Sequence, residues 1–265
     1  MNKNSRVKAV ISLDAVEQNF REMRKNIAED TKMIAVVKAD AYGHGAVPIA
    51  HLIEGYDYIW GFAAATAEEA VHLRENGVTK PILILGIVFE EYYPELVRDD
   101  IRLAVCECEE AEKLSKEAVL QNKTVHIHIA LDTGMTRIGY ADIPESVEEI
   151  KKIAGLPNLE IEGMFTHFSR ADEYDRSPAM VQLERYQKFS DLVEAAGVEI
   201  PLHHCSNSAG IIRVPEANLS IVRAGITIYG IYPSSEVERD IVKLTPVMEL
   251  KSHVTYVKDV PEGAA

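Results

Sequence analysis

The sequence has no long apolar run and few cysteines, and these absences exclude two classes of protein. Its longest apolar segments have about eight residues, as at 82–89, whereas a membrane-spanning helix needs about twenty. Three cysteines, an odd number, predict no disulfide framework. The first ten residues are polar and lack the apolar centre of a secretion signal. Together these features predict a reduced protein that stays in the cytoplasm and does not bind membranes.

Basic residues are also scarce, because 28 Lys and Arg stand against 42 Asp and Glu and give a net charge of −14. Such a balance argues against nucleic acid or an anionic membrane as a general partner. It leaves a small anionic ligand possible, since a few arginines and backbone N–H groups can hold one locally. The chain has 265 residues, 47% of them hydrophobic and 26% charged, which is typical of a folded protein of one or two domains.

What the sequence does contain is a regular alternation of short apolar runs and amphipathic stretches. The runs predict eight strands, at residues 33–39, 58–63, 81–86, 103–107, 125–131, 161–167, 202–207 and 219–226. The stretches between them predict helices, the first starting near Asp14 and two others ending at Gly77 and Gly197. Alternating strands and helices imply right-handed crossovers and a parallel sheet. Eight such units in about 200 residues predict an α/β fold of the (β/α)8, TIM-type barrel class.

A doubly wound open sheet is the alternative, but a glycine-rich phosphate loop is missing from the place where such a sheet often has one. The segment VVKADAYGHG after the first predicted strand matches neither G-x-G-x-x-G nor a P-loop. The two ends of the chain also predict strands beyond the eight of the barrel. Residues 7–13 predict one extra strand, and residues 247–260 predict a long strand or a bent pair. A strand pair alone is marginal. We therefore expect residues 1–13 to contribute a strand to a β-rich domain, 14–232 to form the barrel, and 233–265 to be a linker and the truncated start of that β-domain.

Barrel active sites lie at the C-terminal ends of the strands, so the polar residues found there are the candidates for function. Lys38 is the most informative, because it directly follows the apolar residues IAVV. Desolvation lowers the pKa of an ammonium group, and a neutral amine can form a Schiff base with an aldehyde. Ser208 and the backbone N–H groups of Gly225 and Ile226 could hold a phosphate at the same mouth. A Schiff-base lysine beside a phosphate cradle predicts pyridoxal 5'-phosphate (PLP) as cofactor.

The segment AVVKADAYGHGA, which contains Lys38, resembles the PLP-lysine segment of alanine racemases, which are fold-type III PLP enzymes. The segments LDTGMTRIGY, MFTHFSRADE, HHCSNSAG and VRAGITIYGIYPS are similar to later motifs of that family, in the same order. The resemblance covers nearly the whole chain. It implies an isomerase that interconverts L- and D-alanine, supplies D-alanine for peptidoglycan, and works as a homodimer.

The resemblance also implies roles for individual residues. Lys38 would carry the PLP aldimine and act as one of two acid/base groups, and Arg137 would approach the cofactor phenolate and the substrate carboxylate. Arg223 would face the pyridine nitrogen, His167 would help to place Arg223, and Asn207 would orient these groups. Contacts to the cofactor phosphate would come from five residues: Tyr42, Ser208, Gly225, Ile226 and Tyr232.

An arginine opposite the pyridine nitrogen favours racemisation on physical grounds. Arg223 would be a permanent cation that can only donate hydrogen bonds, so it favours an unprotonated ring nitrogen and limits how far the cofactor stabilises a carbanion. Racemisation also needs acid/base groups on both faces of the substrate. In the family the second is a tyrosine of the partner subunit's C-terminal domain, expected to lie beyond the end of this sequence. Ala130 occupies a position where many racemases have a carbamylated lysine that pairs with Arg137, so Arg137 needs another partner, such as an anion.

Three other functions remain open at this point. The substrate could be serine or a range of amino acids, and the barrel could bind PLP without turnover. A metal-dependent barrel hydrolase is the third, but it would need several His and Asp side chains at the strand mouths. His126 and His128, and the group formed by His203, His204 and Cys205, lie within predicted strands instead. We interpret both sets as packing residues and expect no metal site.

Overall fold

The computed structural model describes residues 6–264 and contains an eight-stranded parallel barrel. The strands are β1 (Val7–Ile11), β2 (Lys32–Val36), β3 (Ile59–Ala64), β4 (Ile82–Ile84), β5 (Arg102–Val105), β6 (Val125–Asp132), β7 (Tyr140–Ala141), β8 (Leu159–Phe165), β9 (Leu202–His204), β10 (Ile221–Ala224) and β11 (Met248–Ser252). The α-helices are α1 (Leu13–Arg24), α2 (Ala46–Ile53), α3 (Ala67–Glu75), α4 (Tyr93–Arg98), α5 (Cys108–Gln121), α6 (Pro144–Ala154), α7 (Ser177–Ala195) and α8 (Ser208–Arg213). Short 3-10 helices cover Glu90–Tyr92, Pro215–Ala217 and Ile226–Tyr229.

The barrel strands follow the order β10-β2-β3-β4-β5-β6-β8-β9, and every hydrogen-bonded pair in this series is parallel. The short strand β7 pairs with β6 beside this path. Between the two end strands, the Arg223 N–H donates to the Ser206 carbonyl over 3.0 Å, so the barrel is nearly closed. All eight predicted strands are present in this barrel, which confirms the TIM-type fold and makes the open-sheet alternative wrong.

The barrel strands are largely buried on both faces, which explains why β2 and β4 are almost continuously apolar. Strands β6 and β8 also contain polar residues. In β2, Met33 and Ala35 join the core between the barrel and its helices. Ile34 and Val36 point the other way and pack inside the barrel. A second interior cluster contains Ala104, Ala130 and Phe165. No described helix is long and apolar enough to cross a membrane.

Local capping signals are confirmed at several helix ends. The Ser12 hydroxyl accepts a hydrogen bond from the Ala15 N–H over 3.2 Å and so caps α1, which begins one residue before the predicted start at Asp14. Gly77 follows α3 with φ +86°, and Gly197 follows α7 with φ +85°. This left-handed backbone is readily adopted by glycine, so both helices end close to the predicted positions.

The first barrel strand ends earlier than predicted, because the chain turns left-handed directly after Lys38. Residues 39–42, the left-handed turn, have φ values from +50° to +54° although none of them is glycine. Such a conformation costs roughly 1–2 kcal/mol per residue. Two carboxylates hold it: Glu69 accepts from the N–H groups of Ala39 (2.7 Å) and Ala65 (2.8 Å), and Asp40 accepts from the N–H of Ala46 (2.7 Å). The turn therefore depends on acceptors far along the chain as well as on its own residues.

The two end strands form a separate antiparallel ribbon. Strand β1 pairs with β11 from Val7↔Ser252 to Ile11↔Met248 and does not join the barrel sheet. The single long strand or bent pair expected at 247–260 is wrong, because the strand stops at Ser252 and the described residues after it are irregular and exposed. Beyond Ser252, the described residues have no neighbouring strand with which their alternating pattern could pair. The proposed division of the chain into barrel and β-domain stays a prediction.

Asn19 joins α1 to the segment that follows the barrel. Its side chain is fully buried and donates to the carbonyls of Ile228 (3.0 Å) and Thr245 (2.9 Å), while its oxygen accepts from the Thr245 N–H (2.7 Å). These bonds satisfy backbone groups beside a fully buried side chain.

Replacing Asn19 by alanine should lower the free energy of unfolding by about 2–4 kcal/mol, because buried backbone groups lose their partners. Urea denaturation followed by circular dichroism measures this change. The matched control is Gln18→Ala on the exposed face of the same helix, which should change the free energy by less than about 0.5 kcal/mol. Equal effects of the two substitutions would contradict the anchoring role of Asn19.

Candidate active site

A cavity of about 460 Å³ opens at the C-terminal ends of the barrel strands. This volume is in the range of sites that bind small ligands. Nine of the ten predicted site residues line it: Lys38, Tyr42, Arg137, His167, Asn207, Ser208, Arg223, Gly225 and Ile226. They are brought together because each follows or ends a strand of the same parallel barrel.

Lys38 and Tyr42 are placed by the left-handed turn. The Lys38 Nζ atom lies 5.9 Å from the centre of the Tyr42 ring. The Tyr42 ring meets the edge of Tyr229 with 5.3 Å between centroids, and His44 stacks on Tyr229 at 4.5 Å. Burial and the charge of Glu69 raise the pKa of Tyr42, so its phenol stays protonated and able to donate at neutral pH. The sequence reasoning missed Tyr229 and His44, because only the turn brings these aromatic residues beside Tyr42.

Arg223 is 3% exposed and is held by a set of backbone carbonyls. Its Nη1 donates to the His204 carbonyl over 2.7 Å, and its Nη2 donates to the carbonyls of Thr166 (2.7 Å) and Cys205 (3.1 Å). Burial lowers the pKa of Arg223 to about 10, which still leaves it a cation at neutral pH. These contacts fix a permanent positive charge at the bottom of the cavity.

His204 is a second partner of Arg223 that the sequence reasoning assigned only to packing. Its Nδ1 lies 2.9 Å from Arg223 Nη1, and its Nε2 lies 2.8 Å from Nδ1 of His128. His128 in turn places its Nε2 3.1 Å from the Glu162 carboxylate. Both imidazoles are fully buried. The sequence pattern around His128 and His204 could not predict these contacts, because the contacts depend on which strands lie near each other in the barrel.

His167 lies between Arg223 and Asn207, with its Nδ1 3.5 Å from Arg223 Nη2 and its Nε2 3.4 Å from Asn207 Nδ2. Burial, followed by the charges of Arg223, Arg137 and Lys38, lowers the pKa of His167 to about 3. The ring is therefore neutral near pH 7, and only one of its nitrogens can accept a hydrogen bond. Its position agrees with a role in packing against Arg223, while its low basicity disfavours a role in proton transfer.

The Asn207 amide has a defined orientation. Its oxygen accepts from the Gly210 N–H over 3.0 Å at the start of α8, and its nitrogen donates to the Phe168 carbonyl over 3.2 Å. One wall of the cavity is thereby tied to the segment that follows β8.

Ser208 connects this wall to the loop after β10. Its hydroxyl oxygen accepts from the Gly225 N–H over 2.9 Å and from the Thr227 hydroxyl over 3.0 Å. Backbone at Gly225 and Ile226 therefore forms part of the cavity surface beside the serine hydroxyl. Because these groups donate to Ser208, its own O–H is left as a donor beside the Ile226 backbone, and both are suited to the oxygens of a phosphate.

Arg137 is carried by a tight loop after β6. The Asp132 carboxylate accepts from the N–H groups of Gly134 (2.9 Å) and Thr136 (3.0 Å), which bends the chain directly after the strand. Arg137 itself is exposed on the cavity wall, and within residues 6–264 it has no hydrogen-bonded or ion-paired side-chain partner. Ala130 is 1% exposed and packs in the apolar cluster with Phe165, so that position supplies Arg137 with no polar group.

Tyr232 is the one predicted site residue that the structure places elsewhere. Its hydroxyl donates to the Val242 carbonyl over 2.8 Å and accepts from the Leu244 N–H over 3.2 Å. It is not among the residues that line the cavity. The Tyr232 hydroxyl secures the segment that follows the barrel, and its contact with a phosphate stays a prediction.

The cavity wall carries an excess of positive charge. Lys38, Arg137 and Arg223 line it, against one carboxylate, Asp172. The chain as a whole has a net charge of −14, so this local balance runs opposite to the overall charge. It suits a ligand with several negative groups. Among residues 6–264, no group of three or more His, Cys, Asp or Glu side chains is arranged to hold a metal ion.

Comparison with known proteins agrees with the fold. A family model described as "Alanine racemase, N-terminal domain" matches residues 11–233. The alanine racemase of Methanococcus maripaludis is 43% identical over 257 residues, covering 96% of this chain and 68% of that protein. The alanine racemase of Clostridium tetani is 41% identical, with 96% and 65% covered. The chain thus spans about two thirds of the length of these curated relatives.

Solved structures give the same result. The alanine racemase of Clostridium difficile 630 superposes with a TM-score of 0.95 at 39% identity, covering 99% of this chain and 69% of that one. The enzyme from Bacillus anthracis, solved with bound L-Ala-P, superposes with a TM-score of 0.86 at 31% identity, covering 94% of this chain and 64% of that one. By domain match, sequence identity and structure, the chain belongs to the alanine racemase family.

Proposed function

We propose that the protein carries out PLP-dependent racemisation of alanine, with the cofactor attached to the Lys38 amine in the cavity of the barrel. The observation that carries the proposal is the local charge: two arginines and a lysine meet in one cavity of a strongly acidic chain. PLP brings a phosphate and a phenolate, and an amino-acid substrate brings a carboxylate. The alanine racemase relatives support the choice of cofactor and substrate.

The residues present fit this cofactor on chemical grounds. The Ser208 hydroxyl and the backbone of Gly225 and Ile226 would hold its phosphate, together with the protonated phenol of Tyr42. Arg223 would donate to the pyridine nitrogen. PLP, once bound, supplies an electron sink that weakens the Cα–H bond of an attached amino acid.

Arg137 is suited to bind the substrate carboxylate. Its guanidinium has no protein partner among the described residues, and its fork of donors matches a carboxylate in two parallel bonds. Such a clamp would fix the Cα–H bond relative to Lys38. The Lys38 amine would then remove or return the Cα proton on one face of the substrate.

Arg223 would limit the chemistry to proton transfer. An arginine opposite the pyridine nitrogen offers only N–H donors and no acceptor for a protonated ring nitrogen, and its positive charge disfavours protonation of the ring. A less electron-deficient ring delocalises less charge from Cα. The substrate would therefore be reprotonated at Cα promptly, which suits racemisation better than decarboxylation.

The second acid/base group must approach the other face of the substrate. Arg223 is a poor candidate because it keeps its proton, and His167 because its pKa is about 3. We infer that a tyrosine of a partner subunit supplies this group in a homodimer, as the resemblance implies. A cytoplasmic location and the supply of D-alanine to peptidoglycan belong to the same proposal.

The proposal is tested by proton exchange and racemisation together. The chain is loaded with PLP in D2O, and L- and D-alanine are followed by proton NMR and chiral chromatography. We expect solvent deuterium at Cα of the alanine enantiomer whose Cα–H bond faces Lys38, with slower exchange of serine measured in parallel. Conversion towards a racemic mixture should follow only where the second acid/base group is also supplied. If neither L- nor D-alanine exchanged its Cα proton, the proposal would be overturned. Faster reaction of serine than of alanine would make serine the substrate.

Lys38→Ala should abolish covalent attachment of PLP, because no other lysine lines the cavity formed by the described residues. The visible absorption of the loaded protein and mass mapping after borohydride reduction measure this. Lys25→Ala is the control, since Lys25 lies on the surface and pairs with Glu22. A borohydride-stable pyridoxyl group retained by the Lys38 variant would refute the assignment.

Ser208→Ala should weaken PLP binding about tenfold, because the lost hydroxyl is both a phosphate ligand and the acceptor that positions the Gly225 N–H. Fluorescence titration with PLP gives the dissociation constant. Thr227→Val is the matched control: it removes a donor to Ser208 but keeps the serine hydroxyl, so the affinity should change less than twofold. Similar losses for the two variants would argue against direct contact of Ser208 with the phosphate.

A further inference from the structure

A continuous row of buried polar side chains runs from Arg223 through the barrel interior, away from the cavity. Arg223 Nη1 is 2.9 Å from His204 Nδ1, and His204 Nε2 is 2.8 Å from His128 Nδ1. His128 Nε2 is 3.1 Å from Glu162 Oε2, which also lies 3.3 Å from Arg102 Nε. We call Arg223, His204, His128 and Glu162 the interior relay.

The chemistry of Arg223 determines which group donates and which accepts each hydrogen bond along the interior relay. A guanidinium has only donors, so His204 Nδ1 must be unprotonated to accept from it. His204 is neutral, because burial holds its pKa well below the ordinary value, so its single proton is on Nε2. That proton can only be donated to His128 Nδ1. His128 is also buried with a lowered pKa, so its own proton is on Nε2 and points at Glu162.

The opposite direction is excluded by the same contacts. A proton on His128 Nδ1 would require His204 Nε2 to accept, and the His204 proton would then lie on Nδ1. It would face the Arg223 N–H at 2.9 Å, donor against donor. The relay therefore needs an acceptor at its far end, and a carboxylate is the group that can never donate when ionised.

Glu162 meets this requirement. Burial opposes ionisation of Glu162, but the hydrogen bond from His128 and the charge of Arg102 outweigh burial and lower its pKa. Arg102 is in turn paired with Asp100 over 2.7 Å. Glu162 is therefore the fixed negative end of a row whose other end is the Arg223 cation.

The packing around the imidazoles leaves them little freedom to turn. A side chain at Gly163 would come within 2.5 Å of His128 Nδ1, so only glycine at this position leaves room for the ring. Phe165 stacks on His204 with 5.0 Å between centroids, and Trp60 contacts the His128 ring edge-on at 5.6 Å. Packing thus sets the orientation of the two imidazole rings, and Arg223 and Glu162 at the ends of the relay determine which nitrogen of each ring is protonated.

We propose that Glu162 is a positioning residue for Arg223, acting through the Nε2-protonated forms of His128 and His204. The relay keeps His204 Nδ1 available as an acceptor and so holds the guanidinium in the direction of the cavity. The consequence for catalysis rests on the proposed function, because it assumes that Arg223 meets the cofactor nitrogen. The protonation pattern itself does not rest on it and can be tested without cofactor.

The first test uses the full chain with 15N-labelled histidine and no cofactor. Long-range proton–nitrogen correlation spectra distinguish the two neutral forms of each imidazole, with assignment by His128→Gln and His204→Gln. We expect both residues to be neutral and protonated on Nε2 between pH 6 and pH 8. A proton on Nδ1 of either residue, or a charged ring, would overturn the proposal whether or not PLP binds.

The second test compares Glu162→Gln with Glu160→Gln. Glutamine at 162 keeps an acceptor but loses the charge and adds a donor that can enter the relay in the wrong direction. We expect the nitrogen spectra of His128 and His204 to change, the absorption band of bound PLP to shift, and kcat for Cα proton exchange of alanine to fall about tenfold with little change in KM. Glu160, two residues earlier on the same strand, faces the partly exposed His126 and should leave all four readouts unchanged.

The outcomes separate the proposal from the proposed function. Unchanged nitrogen spectra in Glu162→Gln, with native circular dichroism, would overturn the positioning role. Changed spectra with no PLP binding by the unsubstituted chain would sustain the relay and refute the proposed function. If Glu162→Gln does not fold, the spectra of the unsubstituted protein still decide the direction of the relay.

Discussion

The burial of a permanent cation, Arg223, inside an apolar barrel is the constraint on which the site depends. An arginine cannot escape the cost of burial by losing its proton at neutral pH, so the surroundings must supply acceptors. The carbonyls of Thr166, His204 and Cys205 do so, and the interior relay adds a distant carboxylate. The carbonyls belong to segments at the mouth of the barrel, where two neighbouring strands end. The near-closure of the barrel and the position of the guanidinium are therefore parts of one arrangement.

A second constraint acts at the other side of the cavity. The left-handed turn after Lys38 is unfavourable for four residues that are not glycine, and it persists because Glu69 and Asp40 accept from backbone N–H groups there. The turn brings Tyr42 over Tyr229 and beside the lysine. Both constraints involve a polar group whose partner lies on a different strand–helix unit: Arg223 donates to Thr166, and the Ala39 N–H donates to Glu69. The precision of the cavity thus follows from long-range contacts, as expected for a site assembled from the ends of several strands.

Charge explains how a strongly acidic protein can offer a site for anions. Glutamates and aspartates lie mainly on the outer surface, whereas Lys38, Arg137 and Arg223 collect in one cavity. Burial lowers the pKa of His167, and the same cations lower it further. Positive charge therefore does two things here: it attracts negatively charged groups, and it helps to keep a neighbouring imidazole neutral. The combination is suited to a reaction in which a lysine amine, and not a histidine, moves the proton.

The sequence by itself determined the barrel class and the eight strands, and it indicated ten candidate site residues, nine of which line the cavity, because these features depend on local periodicity and on motifs such as AVVKADAYGHGA. Tertiary structure alone decided which strands are neighbours, so it alone showed that His204 and His128 join Arg223 to Glu162. It also ended the first strand early, since the acceptor of the Ala39 N–H is Glu69, thirty residues away. The motif that contains Tyr232 shows that a tyrosine is present, but the partner of its hydroxyl lies in a segment that folds back later. Periodicity is a property of neighbouring residues, whereas hydrogen-bond partners across a barrel are fixed only once the chain has closed.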